Sequence, residues 1–410
     1  MSQPFFQSIS GTVNLPASKS LSNRMIALQF MADDNDAAIV NLSEAQDTLL
    51  MLNALTSENN EIDLENAGTA FRFLTACFAA KGMKKILTGS KRMQKRPVAQ
   101  LTDALRQLGA DFRYHGKEGY PPVEIIQGIQ RGGSVKIKAG ISSQYISALL
   151  LIAPFLPNGL QLEIGGDQVS KPYVELTLRL LAYHGVEFER SIDRIDVPEQ
   201  PVTLRPMLIE NDWSAASYIY ALAALAGKAE ILLPGLHPQS WQGDSIMVEW
   251  MEAFGIKTQY FNRKCFIQKS NTNFPSEFNK DLTDYPDLAQ TFAVLCSLMK
   301  IPFHLKGIKN LRVKECDRLK ALETELRKLG TETEAGADSL QSLSFGEVPR
   351  HPVRISTYND HRMAMSFAPF GMIYPNVKID DPEVVQKSFP GFWRELERLK
   401  RSPARGSAES

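Results

Sequence analysis

SSQYISALLLIAPFLPNGLQLEI, residues 142–164, is the stretch that decides the fold. A serine that can cap a helix opens an apolar run with helical spacing, and a Pro-Asn-Gly turn separates it from an alternating, strand-like run. The same pattern recurs at 21–42 in shortened form, and in full at 66–89, 212–233, 286–307 and 359–379. Equivalent positions in the full copies lie 71 to 74 residues apart, so the chain is internally repeated.

A second type of helix lies between these copies, and each example ends in a glycine: Gly109, Gly185, Gly255 and Gly330. A glycine just past a helix end favours a left-handed residue that terminates the helix. Each repeat therefore contains two helices interleaved with strands. Six repeats of this size are too large for a solenoid, and they predict two similar α/β lobes of three repeats each with a cleft between them.

The composition excludes several classes of protein. The 410 residues include 46 Lys and Arg and 46 Asp and Glu, so no global field attracts nucleic acid or an anionic membrane. Four well-separated cysteines signal neither a zinc site nor a disulfide framework. The chain begins without a signal-peptide pattern, and a cytoplasmic protein is expected. There is no P-loop, dinucleotide-binding or nucleophile-elbow motif.

Cations stand where helices begin, although the helix dipole disfavours positive charge there. They recur in both helix types: Lys19, Arg24, Arg72, Arg96, Lys171, Lys314, Arg318, Arg362 and Lys387. Any one of them could be an ordinary surface cation. The whole set is better explained if the helix starts converge on a bound anion with more than one acidic group.

Polar residues in the same register admit two readings. Thr69, Ser142, Ser143 and Ser170 are of the types that cap helices, and Gly68 would let an anion approach the backbone. The acids of the register are Asp287, Glu315 and Asp360. Asp287 and Asp360 could be caps and Glu315 could pair with Arg318, or these acids could act as bases toward an oriented hydroxyl. His361 stands alone in the register, so no metal site is expected.

These motifs together resemble the 5-enolpyruvylshikimate-3-phosphate (EPSP) synthase family of enolpyruvyl transferases. They are LPASKSLSNR (15–24), NAGTAFR (66–72), KRMQKRP (91–97), SSQY (142–145), SKPY (170–173), PD (286–287), KECDRL (314–319), NDHRMAM (359–365) and KSFP (387–390). The resemblance implies an inside-out α/β barrel in each of two lobes, built from three βαβαββ units with helices packed against sheets. It implies a phosphoenolpyruvate-side lobe of residues 1–17 and 212–410, a shikimate-3-phosphate-side lobe of residues 18–211, and a disordered tail at 401–410.

The resemblance also implies two small-molecule substrates, no cofactor and a monomer. Shikimate-3-phosphate would meet Lys19, Ser20, Arg24, Ser142, Ser143, Ser170, Tyr173, Asp287, Asn310 and Lys314. Phosphoenolpyruvate would meet Lys19, Asn66, Gly68, Arg72, Arg96, Gln144, Arg318, Asp360, Arg362 and Lys387. The implied reaction is addition of the 5-hydroxyl to C2 followed by loss of phosphate. Asp287 would deprotonate the hydroxyl, while Glu315 and Lys19 would handle protons at C3.

Two other functions stay open. A sister enolpyruvyl transferase acts on UDP-N-acetylglucosamine, but its mobile loop usually carries a reactive cysteine, which residues 90–97 lack. A catalytically inactive anion-binding scaffold would not need both Asp287 and Glu315. The family pattern is broken at Ala17, Phe73, Leu311 and Cys316, none of which is a charged catalytic position. Phe73 replaces a proline behind the implied phosphoenolpyruvate pocket, which leaves sensitivity to the inhibitor glyphosate open.

Overall fold

The computed structural model describes residues 5–34, 37–138, 140, 142–166, 169–269 and 274–401, with only the backbone of residues 400 and 401. The strands are β1 (Phe6–Thr12), β2 (Ile39–Val40), β3 (Glu61–Asp63), β4 (Ile86–Thr88), β5 (Asp111–Tyr114), β6 (Val123–Gln127), β7 (Gly133–Lys138), β8 (Leu160–Gly165), β9 (Glu189–Arg190), β10 (Arg194–Val197), β11 (Met207–Leu208), β12 (Ala226–Pro234), β13 (Ile256–Phe261), β14 (Lys264–Lys269), β15 (Phe278–Asp281), β16 (Phe303–Lys306), β17 (Thr331–Ala335), β18 (Ser339–Phe345), β19 (Val353–Ile355) and β20 (Val377–Ile379).

The helices are α1 (Lys19–Ala32), α2 (Gln46–Thr56), α3 (Gly68–Ala80), α4 (Ala99–Gln107), α5 (Ser143–Ile152), α6 (Lys171–Tyr183), α7 (Trp213–Leu225), α8 (Met247–Glu252), α9 (Ala289–Met299), α10 (Arg318–Lys328), α11 (His361–Ile373) and α12 (Phe392–Arg401). Residue 401, the first of the predicted tail, is therefore the last residue of a helix. The rest of that tail, 402–410, lies outside the described residues.

The chain divides into two compact units, which we call unit 1 (residues 1–17 and 210–410) and unit 2 (residues 18–209). Among the described residues, the strands of each unit form three sheets. Unit 1 contains β1-β12-β14-β13, β15-β16-β18-β17 and β19-β20, and unit 2 contains β3-β4-β6-β5, β7-β8-β10-β9 and β11-β2. The structure is therefore of the α/β class.

The four-stranded sheets share one pattern of pairing. In each, the first two strands of the repeat run parallel, as in β3 with β4. A helix carries the chain back between them in three of these sheets, whereas unit 2 and α7 lie between β1 and β12. The last two strands are antiparallel neighbours, as in β5 with β6. The two-stranded sheets keep only a parallel pair. The helix-then-strand repeat read from the sequence corresponds to the first helix and second strand of this pattern.

The glycines predicted to end the second helix of each repeat have left-handed backbones. Their φ angles are 88° at Gly109, 83° at Gly185, 80° at Gly255 and 85° at Gly330, so this prediction is confirmed. The helix before Gly255 is shorter than its pattern indicates. It contains six α-helical residues, because the preceding turn, Gly243–Ile246, is a 3₁₀ helix.

The first helices of the repeats are buried around most of their circumference. Nine of the ten residues of α5 are buried, and α7 and α9 are buried to a similar degree. Helices of this kind pack against other elements on every side. In unit 2, α5 packs against α3 and α6, and in unit 1, α9 packs against α7 and α11. Their N-termini carry most of the residues predicted to bind substrate.

Candidate functional site

In unit 2, two arginines pack onto the first residue of α3. A Cβ atom added to Gly68 would lie 2.5 Å from Arg96 Nη2 and 2.7 Å from Arg72 Nη1. Arg72 Nη1 donates to the Gly68 carbonyl at 2.8 Å, and Arg96 Nη1 donates to the Asn66 carbonyl at 3.3 Å. Both guanidinium groups are almost fully buried. Gly68 is therefore needed because any side chain would displace these two cations.

The start of α5 supports the same arginines. Arg72 lies over the ring of Tyr145 at 5.3 Å, and the Tyr145 hydroxyl donates to the Pro97 carbonyl at 2.5 Å. Arg72 Nη2 also donates to that carbonyl, at 3.4 Å. Gln144 Nε2 donates to Thr69 Oγ1 at 2.9 Å. The motifs around residues 68, 97 and 145 thus form one cluster. Nothing in the sequence indicated that Tyr145 supports Arg72.

Arg24 is buried to a degree that its motif did not indicate, with only 2% of the residue exposed. Its guanidinium donates to Thr177 Oγ1 at 2.7 Å, Ser20 O at 2.8 Å, Tyr173 O at 2.9 Å and Ser147 Oγ at 3.1 Å. The ring of Phe73 lies against it at 5.4 Å. Burial lowers the pKa of Arg24 to about 10. Since a guanidinium has five N–H groups, one donor is left for a ligand.

The serines of the register differ in what they do locally. Ser142 caps α5, because its Oγ accepts a hydrogen bond from the Gln144 amide at 3.3 Å. Ser170 makes no such capping bond, and its backbone is left-handed, with φ of 57°. A non-glycine residue in this conformation is strained, and strain of this kind concentrates at functional sites. Ser143 is buried, Ser20 is half-buried, and Lys19 forms an ion pair with Asp47 at 2.9 Å.

In unit 1, a single arginine brings the three predicted acids together. Arg318 donates through Nε to Asp360 Oδ2 at 2.7 Å, through Nη2 to Glu315 Oε2 at 2.9 Å, and through Nη1 to Asp287 Oδ1 at 3.2 Å. Burial alone would lower the pKa of Arg318, but the carboxylates of Asp360, Glu315 and Asp287 raise it above its ordinary value. The pairing of Glu315 with Arg318, which the sequence left as one of two alternatives, is present and is part of a larger network.

Two further cations complete this network. Arg362 Nη2 pairs with Asp287 Oδ2 at 2.8 Å, and Lys387 Nζ pairs with Glu315 Oε1 at 3.4 Å. We call the six residues the acid–base cluster: Asp287, Glu315, Arg318, Asp360, Arg362 and Lys387. Their formal charges cancel, because three carboxylates contact three cations.

The elements that carry the acid–base cluster differ partly from those expected. Asp360 is both a helix cap and a partner of Arg318, because its Oδ1 accepts the Arg362 amide at 2.9 Å. Asp287 lies in the 3₁₀ turn Pro286–Leu288 before α9. Lys387 does not begin a helix, which corrects the pattern-based reading: it ends the 3₁₀ helix Pro382–Lys387, and α12 starts at Phe392.

Other residues of unit 1 contribute to this environment. Tyr218 accepts a hydrogen bond from Arg362 Nη1 at 3.3 Å, and burial raises the pKa of Tyr218 to about 12. Asn310 and Lys314 are half-buried in the segment before Glu315. Tyr218 was not singled out in the sequence, because it faces inward from α7, where an aromatic residue reads as ordinary core.

Comparisons with known proteins cover nearly all of the chain. The family model described as EPSP synthase (3-phosphoshikimate 1-carboxyvinyltransferase) matches residues 6–57 and 55–396. The chain belongs to the EPSP synthase family. The predicted resemblance to that family is therefore confirmed.

Among the described residues, no three His, Cys, Asp or Glu side chains could together hold a metal ion, and no helix is long and apolar enough to cross a membrane.

Individual relatives agree with the family match. A 3-phosphoshikimate 1-carboxyvinyltransferase of Bacteroides fragilis is 44% identical over 393 residues, covering 95% of both chains. Its namesake from Haemophilus influenzae is 38% identical and covers 95% of this chain and 96% of the relative. A solved EPSP synthase structure from Acinetobacter baumannii has a TM-score of 0.70 at 20% identity and covers 97% of each chain. That structure supports the fold alone.

Proposed function

We propose that this chain transfers the enolpyruvyl group of phosphoenolpyruvate to the 5-hydroxyl of shikimate-3-phosphate and releases phosphate. Membership of the EPSP synthase family supports this activity, and relatives named for it cover almost the whole chain. The observation that carries the mechanism is the acid–base cluster, in which two carboxylates needed for proton transfer are held among cations. We further propose that each unit is an inside-out α/β barrel of three repeats.

The cations of unit 2 are suited to binding anions. Arg72 and Arg96 are held in place beside Gly68. Both donate to carbonyl oxygens, and Arg72 also lies over an aromatic ring. We assign them, with Asn66 and Gln144, to phosphoenolpyruvate. Ser142, Ser143, Ser170 and Tyr173 are assigned to shikimate-3-phosphate, with Lys19 touching both substrates. Arg24 has one remaining N–H, so it can give the substrate carboxylate at most one hydrogen bond.

The reaction needs both the carboxylates and the cations. Protonation of C3 of phosphoenolpyruvate produces positive charge at C2, where the 5-hydroxyl oxygen then forms the new C–O bond. The hydroxyl proton passes to Asp287, and Glu315 with Lys19 supplies and later removes the proton at C3. The C2–O bond to phosphate then breaks with the electron pair leaving on phosphate, which Arg362 stabilises.

A phosphate-release assay tests the proposed function. Purified protein should release phosphate from phosphoenolpyruvate when shikimate-3-phosphate is added, and a matched reaction with UDP-N-acetylglucosamine should release none. Release driven by the nucleotide sugar would instead identify the sister transferase. Absence of release with either acceptor, from protein that is folded by circular dichroism, would favour the inactive anion-binding scaffold.

A further inference from the structure

The segment Gln242–Asp244 is fixed against the start of α7. Gln242 Oε1 accepts the Trp213 amide at 3.1 Å, and Gln242 Nε2 donates to the Asn211 carbonyl at 2.8 Å. Gln242 is buried, so these bonds are shielded from water. They hold the next turn, which carries Asp244, in one position beside α7.

Asp244 is a buried carboxyl group that the mechanism above does not use. Only 3% of the residue is exposed. The Ser214 hydroxyl donates to its Oδ2, while its Oδ1 is buried and has no hydrogen-bond partner among the described residues. Burying a half-satisfied carboxylate is unfavourable, and such groups in native proteins call for an explanation.

Helix α7 connects Asp244 to the acid–base cluster: Ser214, which donates to Asp244, and Tyr218, which accepts from Arg362, lie one turn apart on the same face of this helix. Burial, followed by the negative charge of Asp287, raises the pKa of Asp244 to about 7, while Arg362 and the Ser214 hydroxyl oppose the rise. Asp212, the cap of α7, is a further negative neighbour. Burial raises the pKa of Tyr285, and the charges of Asp284, Asp244 and Glu249 add to that rise.

We propose that Asp244 is a positioning residue whose charge acts through Asp287 and Arg362 and sets how strongly the acid–base cluster attracts phosphoenolpyruvate. This inference rests on the proposed function. When Asp244 is neutral, the acid–base cluster and Asp244 together carry no formal charge. When Asp244 ionises, the same group carries one negative charge, which competes with the substrate for Arg362 and repels the substrate's carboxylate and phosphate.

The charge of Asp244 determines how the KM for phosphoenolpyruvate changes with pH. Asp244 is neutral below about pH 7 and charged above it, because its pKa is raised. We therefore expect the KM for phosphoenolpyruvate to rise as the pH passes through neutrality. Phosphoenolpyruvate itself titrates in this range, so the quantity to follow is the ratio of KM values of two variants on the same substrate.

The test compares wild type with Asp244→Asn between pH 5.5 and 8.5. The ratio of wild-type KM to variant KM should be near one at the acidic end and rise roughly three- to tenfold at the alkaline end. Ser214→Ala removes a hydrogen bond that lowers the pKa of Asp244, so its transition should move to higher pH. Glu395→Gln alters another buried carboxylate of unit 1, bonded to the Asn14 amide, and should follow wild type at every pH.

The outcomes separate this inference from the proposed function. If wild type turns over and the ratio for Asp244→Asn is constant with pH, the role of Asp244 is wrong and the proposed function stands. If Asp244→Asn does not fold, Ser214→Ala decides: an unshifted transition overturns the inference. Absence of any shikimate-3-phosphate-dependent turnover by wild type contradicts the proposed function itself.

Discussion

The two units hold their buried arginines in different ways. In unit 2, Arg24 and Arg72 contact carbonyl oxygens, hydroxyl groups and aromatic rings, and no carboxylate of the described residues lies within ion-pair distance of either. In unit 1, Arg318 and Arg362 contact carboxylates directly. Neutral acceptors fix a guanidinium without cancelling its charge, whereas carboxylates fix it and balance the charge.

This difference suggests a division of labour. An uncancelled cation is suited to attracting an anionic substrate, because it gains a charge-assisted partner only when the substrate binds. A balanced cluster is suited to moving protons, because its cations orient the carboxylates before the substrate arrives. We therefore expect substitutions of the unit 2 arginines to act mainly on KM, and substitutions within the acid–base cluster to lower kcat and stability as well.

The largest effect is expected from Arg318→Met. The substitution leaves Asp360, Glu315 and Asp287 without their shared partner, and breaking a buried ion pair in this way costs about 3–5 kcal/mol. Urea denaturation measures the loss in the free energy of unfolding. Arg327→Met is the control: Arg327, in the same helix, forms an exposed pair with Glu332, and its removal should cost at most about 1 kcal/mol. Equal losses in the two variants would contradict the buried network.

A pair of alanine variants compares the units directly. Arg362→Ala and Arg72→Ala should each lower kcat/KM for phosphoenolpyruvate about 10- to 150-fold, the value of one lost charge-assisted contact. Arg362→Ala also deprives Asp287 of a partner, so its kcat should fall as well. Arg72→Ala should keep most of its kcat at saturating substrate. Steady-state kinetics of both variants are the measurement. If kcat and KM change in the same way in both, the proposed difference between the two units is wrong.

Gly68→Ala sharpens the account of unit 2. The added methyl group would lie within 2.7 Å of both guanidinium groups, so Arg72 and Arg96 must move. A displacement of this size in a binding site should raise the KM for phosphoenolpyruvate roughly 10- to 100-fold. Gly116→Ala, whose nearest neighbour would be 3.9 Å away, is the control and should leave the KM unchanged. An unchanged KM in Gly68→Ala would show that these arginines do not bind this substrate.

The smallest effect is expected from Tyr145→Phe. This variant keeps the ring beneath Arg72 and removes the hydrogen bond to the Pro97 carbonyl, which should raise the KM about two- to tenfold. Tyr183→Phe removes a similar bond, from the Tyr183 hydroxyl to the Pro206 carbonyl at 2.8 Å, in an exposed part of unit 2. Its KM should match wild type. Identical values for the two variants would remove Tyr145 from the set of positioning residues.

Local patterns predicted much of the fold because they depend on nearby residues. The glycines at the helix ends were predictable, since only the backbone at that position decides whether φ must be positive. The shortening of α8 was not, because the 3₁₀ turn before it depends on packing against α7. Lys387 was assigned to a helix start because its motif resembles one, yet α12 begins five residues later.

The site was predictable to a similar extent. The six residues of the acid–base cluster were all identified from their motifs, but the role of Arg318 as the shared partner of three acids becomes visible only when three segments come together. Ser142 and Ser170 look alike in the sequence, and only their backbone angles and hydrogen bonds distinguish the cap from the strained residue. Asp244 lies in the 3₁₀ turn just before α8, and it was missed because attention at the helix starts went to cations.

Solvent deuterium is the most direct probe of the proposed division between charge binding and proton transfer. The reaction is run in deuterium oxide, and deuterium at C3 of the enolpyruvyl group is measured by mass spectrometry. We expect wild type to incorporate deuterium, Arg72→Ala to do so at a similar rate under saturating substrate, and Glu315→Gln to do so at least about tenfold more slowly. Product formed without deuterium, or equal rates in all three proteins, would contradict the assignment of proton transfer to the acid–base cluster.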